Sequence, residues 1–115
     1  MRKKLYNCPV ELTVEVMGGR WKSRILWHIS KRPYRYGELR RLIPNITQKM
    51  LTQALRELEE DGLIERKVFE GSILKVEYSL TDYGVSASPL LELMSQWGKS
   101  HKQREDLLEA EEKKG

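Results

Sequence analysis

Between residues 47 and 80 the apolar side chains change their spacing, from a period near 3.6 to a period of 2. Leu51, Ala54, Leu55 and Leu58 form one helical stripe, with Thr47 in the place of an N-cap and Gly62 where a helix stops. Further on, Leu74, Val76, Tyr78 and Leu80 alternate with Lys75, Glu77 and Ser79, and residues 64–69 form a second run rich in strand formers. Glu70-Gly71-Ser72 separates the two runs, so a helix over residues 47–61 is followed directly by a β-hairpin. This order constrains the fold strongly, because the helix must bury a stripe and the hairpin a face within one small core.

Three shorter helices are expected upstream. Pro9 opens the first, Glu11 lies in its first turn, and Gly18-Gly19 closes it. Trp21, Ile25, Leu26 and Ile29 give an apolar face to residues 22–30, which end near Arg32-Pro33. Leu39, Leu42 and Ile43 are spaced i, i+3, i+4 within residues 36–43, and Pro44-Asn45 stops that pattern. Only the residues around Pro44-Asn45-Ile46 join the third helix to the fourth, which is the connection length of a helix-turn-helix. A hairpin directly after it is a wing.

After the hairpin, Thr81-Asp82 supplies another N-cap signal. Val85, Leu90, Leu91, Leu93, Met94 and Trp97 then make a helix apolar around much of its circumference. A single small domain covers such a helix poorly, which predicts pairing with its own copy in a two-fold dimer through Leu90, Leu91, Met94 and Trp97. The expected fold is mainly α with a small β-hairpin (α+β), a winged helix-turn-helix dimerised through terminal helices. Residues 1–7 are a basic arm, residues 8–98 the DNA-binding and dimerisation domain, and residues 99–115 a charged tail that extends the last helix or frays.

Composition narrows the partners. With 39% hydrophobic and 33% charged residues in 115, the chain is too apolar to be disordered and too polar for a membrane protein. No run approaches the ~18 residues that span a bilayer, no signal-peptide core follows Met1, and the lone Cys8 cannot form an intrachain disulfide, so the cytoplasm is the expected compartment. The net charge of +4 is unevenly distributed. Residues 1–56 hold 13 Lys or Arg against Glu11, Glu15 and Glu38, a net +10, whereas residues 57–115 hold 8 against 14 acids, a net −6. A basic half suits a polyanion, because phosphate neutralisation supplies most sequence-independent affinity for nucleic acid.

The fourth helix carries the sharpest functional signal. Opposite its apolar stripe lie Gln48, Lys49, Thr52, Gln53 and Arg56, and acids appear only afterwards, at Glu57, Glu59, Glu60 and Asp61. Arg and Lys donate to guanine O6 and N7, Gln pairs with adenine, and Thr offers a hydroxyl and a methyl group. Arg40, Arg41, Lys22 and Arg24, with Arg2, Lys3 and Lys4 of the arm, are expected phosphate ligands, as are Arg66, Lys67 and Lys75 of the hairpin. The implied partner is a double-stranded, pseudo-palindromic DNA operator bound by a homodimer. The alternative is a winged-helix module that binds protein, which the acid-free stretch of residues 48–56 disfavours; structured RNA is disfavoured because its major groove excludes a helix.

These residues also resemble a known family. Cys8-Pro9-Val10-Glu11, Gly18-Gly19-Arg20-Trp21-Lys22, Ile25-Leu26-Trp27-His28, Gly37-Glu38-Leu39-Arg40-Arg41 and Gln48-Lys49-Met50-Leu51-Thr52 are similar, in order, to segments of the HxlR-type winged-helix regulators, relatives of the MarR type. The likeness continues through Leu55-Arg56-Glu57-Leu58-Glu59-Glu60-Asp61-Gly62-Leu63-Ile64 and Val76-Glu77-Tyr78-Ser79-Leu80-Thr81 to residue 98. The resemblance implies homodimeric repressors or activators whose helix from Thr47 reads the groove while the hairpin contacts flanking DNA. One departure is the hairpin tip, Gly71-Ser72-Ile73-Leu74, where the family often carries a Pro-containing segment.

In some members of that family an N-terminal cysteine senses oxidants or electrophiles, and Cys8 stands at the matching position. Cys8 is thus either such a sensor or a small hydrophobe at the edge of the core. For catalysis the sequence offers only Cys8, His28 and His101, and His28 lies among apolar residues as a core or interface histidine would. Without a phosphate-binding glycine motif, a metal-spaced Cys/His cluster or a serine elbow, neither enzymatic activity, a metal nor a cofactor is expected.

Overall fold

A computed structural model describes residues 8–114. Arg2, Lys3 and Lys4 of the expected basic arm lie outside the described residues. The elements run α1 (Pro9–Met17), α2 (Lys22–Ile29), α3 (Tyr36–Leu42), α4 (Gln48–Glu60), β1 (Ile64–Phe69), β2 (Lys75–Leu80), α5 (Asp82–Val85) and α6 (Ser88–Lys114). Within one chain the fold is the expected winged helix-turn-helix, mainly helical with one antiparallel hairpin among the described residues, β1 against β2 from Ile64 opposite Leu80 to Phe69 opposite Lys75.

Helix α4 is defined at both ends by its own sequence. Thr47 Oγ1 accepts the amide of Met50 at 3.1 Å. At the other end Gly62, with φ of 77°, lets its N–H reach Glu59 O and that of Leu63 reach Leu58 O, closing a Schellman motif in which Leu58 and Leu63 are both buried. The turn from α3 to α4 is held by buried Ile43 and Ile46, and Asn45 between them takes the left-handed conformation at φ 67°, which Asn tolerates better than most residues. Leu51, Leu55 and Leu58 of α4 meet Ile25, Leu26 and Leu39 in one core.

Sequence periodicity does not reveal the third partner of the hairpin. Tyr34, in the α2–α3 connection, exchanges both backbone bonds with Tyr78 of β2, at 3.0 and 2.8 Å, and so pins the wing to the helical body.

The expected single helix after Thr81 is two. Thr81 Oγ1 accepts the amide of Gly84 at 2.9 Å and caps α5, which ends at Val85; α6 begins at Ser88. Pro89 explains the break, since it has no N–H to give to Val85 O and its ring would collide with that carbonyl in a continuous helix. Residues 99–114, which the sequence allows as helix or frayed tail, continue α6.

Leu91, expected at a subunit interface, is a correction. It is 3% exposed and packs in the chain's own core. Beyond it no described residue of α6 is buried, and Leu93, Met94 and Trp97 stand exposed, with Leu90 half-buried. No helix among the described residues is long and apolar enough to cross a membrane.

Candidate nucleic-acid interface

The apolar stripe of α4 is seated in the core, so its opposite side must face outward. Gln48, Lys49, Thr52, Gln53 and Arg56 line one open concavity there. All but Thr52 are exposed. The acids that follow are drawn off this face at their start, where Glu57 lies 3.9 Å from Lys22 Nζ. What remains is a strip of donors and cations beside a helix N-terminus, the arrangement that suits base edges and phosphates together.

The flanking cations divide into free and engaged. Arg40 and Arg41 are exposed in the last turn of α3, where they also offset the helix dipole. Arg24 is exposed, but its guanidinium donates to Leu42 O at the end of α3 and to His28 Nε2, each at 3.4 Å. Lys22 is engaged as well. Its side chain is 13% exposed, and its Nζ donates to Glu15 O at 2.7 Å while facing Glu57. From the start of α2 it ties α1 to α4, with one N–H spent on Glu15 O and its charge shared with Glu57.

The cations of the wing are divided too. In the observed register Arg66 pairs with Tyr78 on one face, while Lys67 pairs with Glu77, and Lys75 with Phe69, on the other. Arg66, Lys67 and Lys75 therefore cannot all face one phosphate backbone. Lys67 also meets Glu65, and Lys75 meets Glu77, each at 3.2 Å. Arg66, Lys67 and Lys75 are matched in number by Glu65, Glu70 and Glu77, so the wing from residue 64 to 80 has no net charge. Its tip is apolar and open, with Ile73 79% exposed.

Two groups that sequence reasoning passed over shape this interface. Tyr36 Oη lies 2.9 Å from Gln48 O and 3.1 Å from Thr52 Oγ1, joining α3 to the reading helix. Glu38 accepts the amide of Arg35 at 2.8 Å and thereby caps α3, and that bond is the main reason its carboxyl is held below its ordinary pKa. The capping role was visible in the sequence as an acid in the first turn of a helix; the Tyr36 contact spans 16 residues and left no local signal.

His28 behaves as the sequence suggested. It is half-buried, its ring meets Tyr34 edge-on at 6.2 Å, and burial followed by the charge of Arg24 lowers its pKa. Cys8 is exposed at the N-cap of α1 and is therefore no part of the core edge. Among the described residues no group of His, Cys, Asp or Glu is arranged to hold a metal.

Comparison with known proteins places this geometry in a family. The family model of HxlR-like helix-turn-helix proteins matches residues 16–106. YtcD of Bacillus subtilis (strain 168), an HTH-type transcriptional regulator, is 54% identical over 101 residues, which are 88% of this chain and 80% of that protein. The redox regulator HypR in its reduced form is similar with a TM-score of 0.80 at 45% identity, over 90% of this chain and 99% of that one. In its oxidized form HypR gives a TM-score of 0.77 at 47% identity, over 81% and 96% of the two chains.

Proposed function

The chain belongs to the HxlR-like helix-turn-helix family of DNA-binding transcription regulators, and we propose that it works as a cytoplasmic, non-enzymatic homodimer on a pseudo-palindromic operator. One observation carries the reading: the acid-free outer face of α4, where Gln48, Lys49, Thr52, Gln53 and Arg56 share one concavity. Each copy lays that face in a major groove, the two grooves being about 34 Å apart along the duplex. Arg40 and Arg41 hold phosphates, and Arg24 contributes beside its contact to Leu42. A wing with no net charge adds little to the salt dependence, and its contact with DNA is one of shape.

Gel shifts on the protein's own upstream DNA at two salt concentrations test this. Binding that survives competitor DNA is expected, and binding indifferent to sequence would overturn the reading. Arg56→Ala is expected to cost about 1–3 kcal/mol and to relax preference at particular base pairs, whereas Arg41→Ala weakens all sequences alike and lowers the salt slope by about 1. Identical profiles for the two variants would contradict this division of roles.

Cys8 is the proposed switch. It is exposed beside the start of α1, and kinship with a redox regulator supports a thiol response. Because the chain has a single cysteine, oxidation joins subunits, captures a small thiol or stops at the sulfenic acid. Diamide is expected to weaken operator binding by the wild type and to leave Cys8→Ser unaffected, measured on the same fragment. Equal responses of the two proteins would remove Cys8 from the mechanism.

A further inference from the structure

Tyr36 stands at the first position of α3, half-buried against the core, and its hydroxyl oxygen reaches two atoms of α4: Gln48 O at 2.9 Å and Thr52 Oγ1 at 3.1 Å. Proton counting gives the one sense in which both form together as two-centre bonds. A phenol has one proton, and a carbonyl oxygen can only accept, so Tyr36 O–H donates to Gln48 O. The contact with Thr52 then has one sense left: the Thr52 hydroxyl donates to Tyr36 Oη. Threonine has one hydroxyl proton too. Once it is committed to Tyr36, Thr52 has only lone pairs and a methyl group to present to anything that arrives from outside.

We propose that Tyr36 is a specificity-positioning residue, which makes Thr52 a hydrogen-bond acceptor, and not a donor, toward DNA. This rests on the reading of α4 as the major-groove helix. In that groove the donors are the amino groups adenine N6 and cytosine N4, and the acceptors are N7, guanine O6 and thymine O4. Every base pair carries one such amino group, displaced toward one strand. A threonine free to rotate can give or take a bond and tolerates either orientation of a pair. An acceptor-only threonine favours the orientation that turns the amino group toward it and leaves an unmet acceptor pair when the orientation is reversed. Tyr36 and Thr52 are both half-buried, and the bond to Gln48 O that sets this polarity stays open to water until DNA covers it.

The experiment measures dissociation constants for a set of operators carrying all four base pairs at each position under α4. The proteins are the wild type, Tyr36→Phe, Thr52→Val, Thr52→Ser and the Tyr36→Phe/Thr52→Val double variant. The wild type is expected to prefer the amino-facing orientation at one position by about fivefold. Tyr36→Phe is expected to reduce that ratio to about twofold or less while largely keeping affinity for the best operator, and Thr52→Ser to retain the ratio. In the Thr52→Val background, Tyr36→Phe should have no further effect at that position.

A ratio unchanged in a folded Tyr36→Phe overturns the proposal. So does a Thr52-dependent preference of the wild type for the reversed orientation, a result that needs no Tyr36 variant. If Thr52→Val alters no base preference while the wild type still discriminates among operators, this proposal falls and the DNA-reading face stands. If the wild type discriminates among no sequences, both fall.

Discussion

Replacing Met94 and Trp97 together by aspartate is expected to produce a folded monomer whose affinity for an operator with two half-sites is lower by about two to four orders of magnitude. Met94 is 45% and Trp97 70% exposed, so the substitutions take little from the chain's own core. On the same helix Leu93 is 62% exposed, and further along Leu107 and Leu108 remain uncovered. At a two-fold interface each introduced carboxylate would face its own copy or apolar surface, and its desolvation would be uncompensated. The loss in DNA binding follows from geometry more than from contact. Once one α4 is seated, a dimer presents the second at high effective concentration, whereas a monomer must bind each half-site independently. Sedimentation and gel shifts on one-half-site and two-half-site fragments check this. A variant that still sediments as a dimer would place the interface elsewhere, and the exposed face of α1 carrying Val10 and Val14 would be the next surface to test.

Gly84→Ala is expected to destabilise the chain by about 3 kcal/mol, a fall in melting temperature on the order of 10 °C for a chain of this size. Gly84 is buried in α5 where that helix crosses the base of the wing, and a Cβ there would collide with the carbonyl oxygen of Leu63. That oxygen accepts the amide of Thr81 at 3.1 Å, and Leu80 Cδ2 would lie 3.2 Å from the same Cβ. The obstacle is backbone on one side and a strand side chain on the other, so neither can swing away as a long surface side chain would. Relief requires α5 to lift from the wing, with loss of the Thr81 bond. Thermal unfolding followed by circular dichroism measures the effect, and a change below about 1 kcal/mol would mean the crossing yields more readily than close packing allows.

The elements of this fold were largely readable from the chain because their signals are local. Thr47 caps α4 by reaching Met50, Gly62 ends it by turning its own amide to Glu59 O and that of Leu63 to Leu58 O, and the alternation from Lys75 to Leu80 marks β2. The reading face followed for the same reason: once Leu51, Leu55 and Leu58 face the core, helical geometry puts Lys49, Gln53 and Arg56 outside. Even the break between α5 and α6 had a local sign in Pro89, outweighed by the apolar residues on both sides of it.

The interface was less readable, because which polar groups are free depends on neighbours far along the chain. Lys22 looked like Arg40 or Arg41 in the sequence, and only the packing of α1 and α4 around the start of α2 brings its ammonium group to Glu15 O and Glu57. Leu91 looked like Met94, and only the seating of α6 on α2 takes one into the core and leaves the other outside. Arg66, Lys67 and Lys75 looked like one basic patch until the hairpin register put Arg66 on the opposite face. Periodicity and capping, which act over three or four residues, thus determined the helices, the hairpin and the outward face of α4. The helix-turn-helix with its wing is therefore a property of the sequence read locally. Whether a given lysine is free, a leucine is covered or the Thr52 hydroxyl gives or accepts a proton was decided by tertiary contacts, since each depends on a partner that only folding brings within bonding distance.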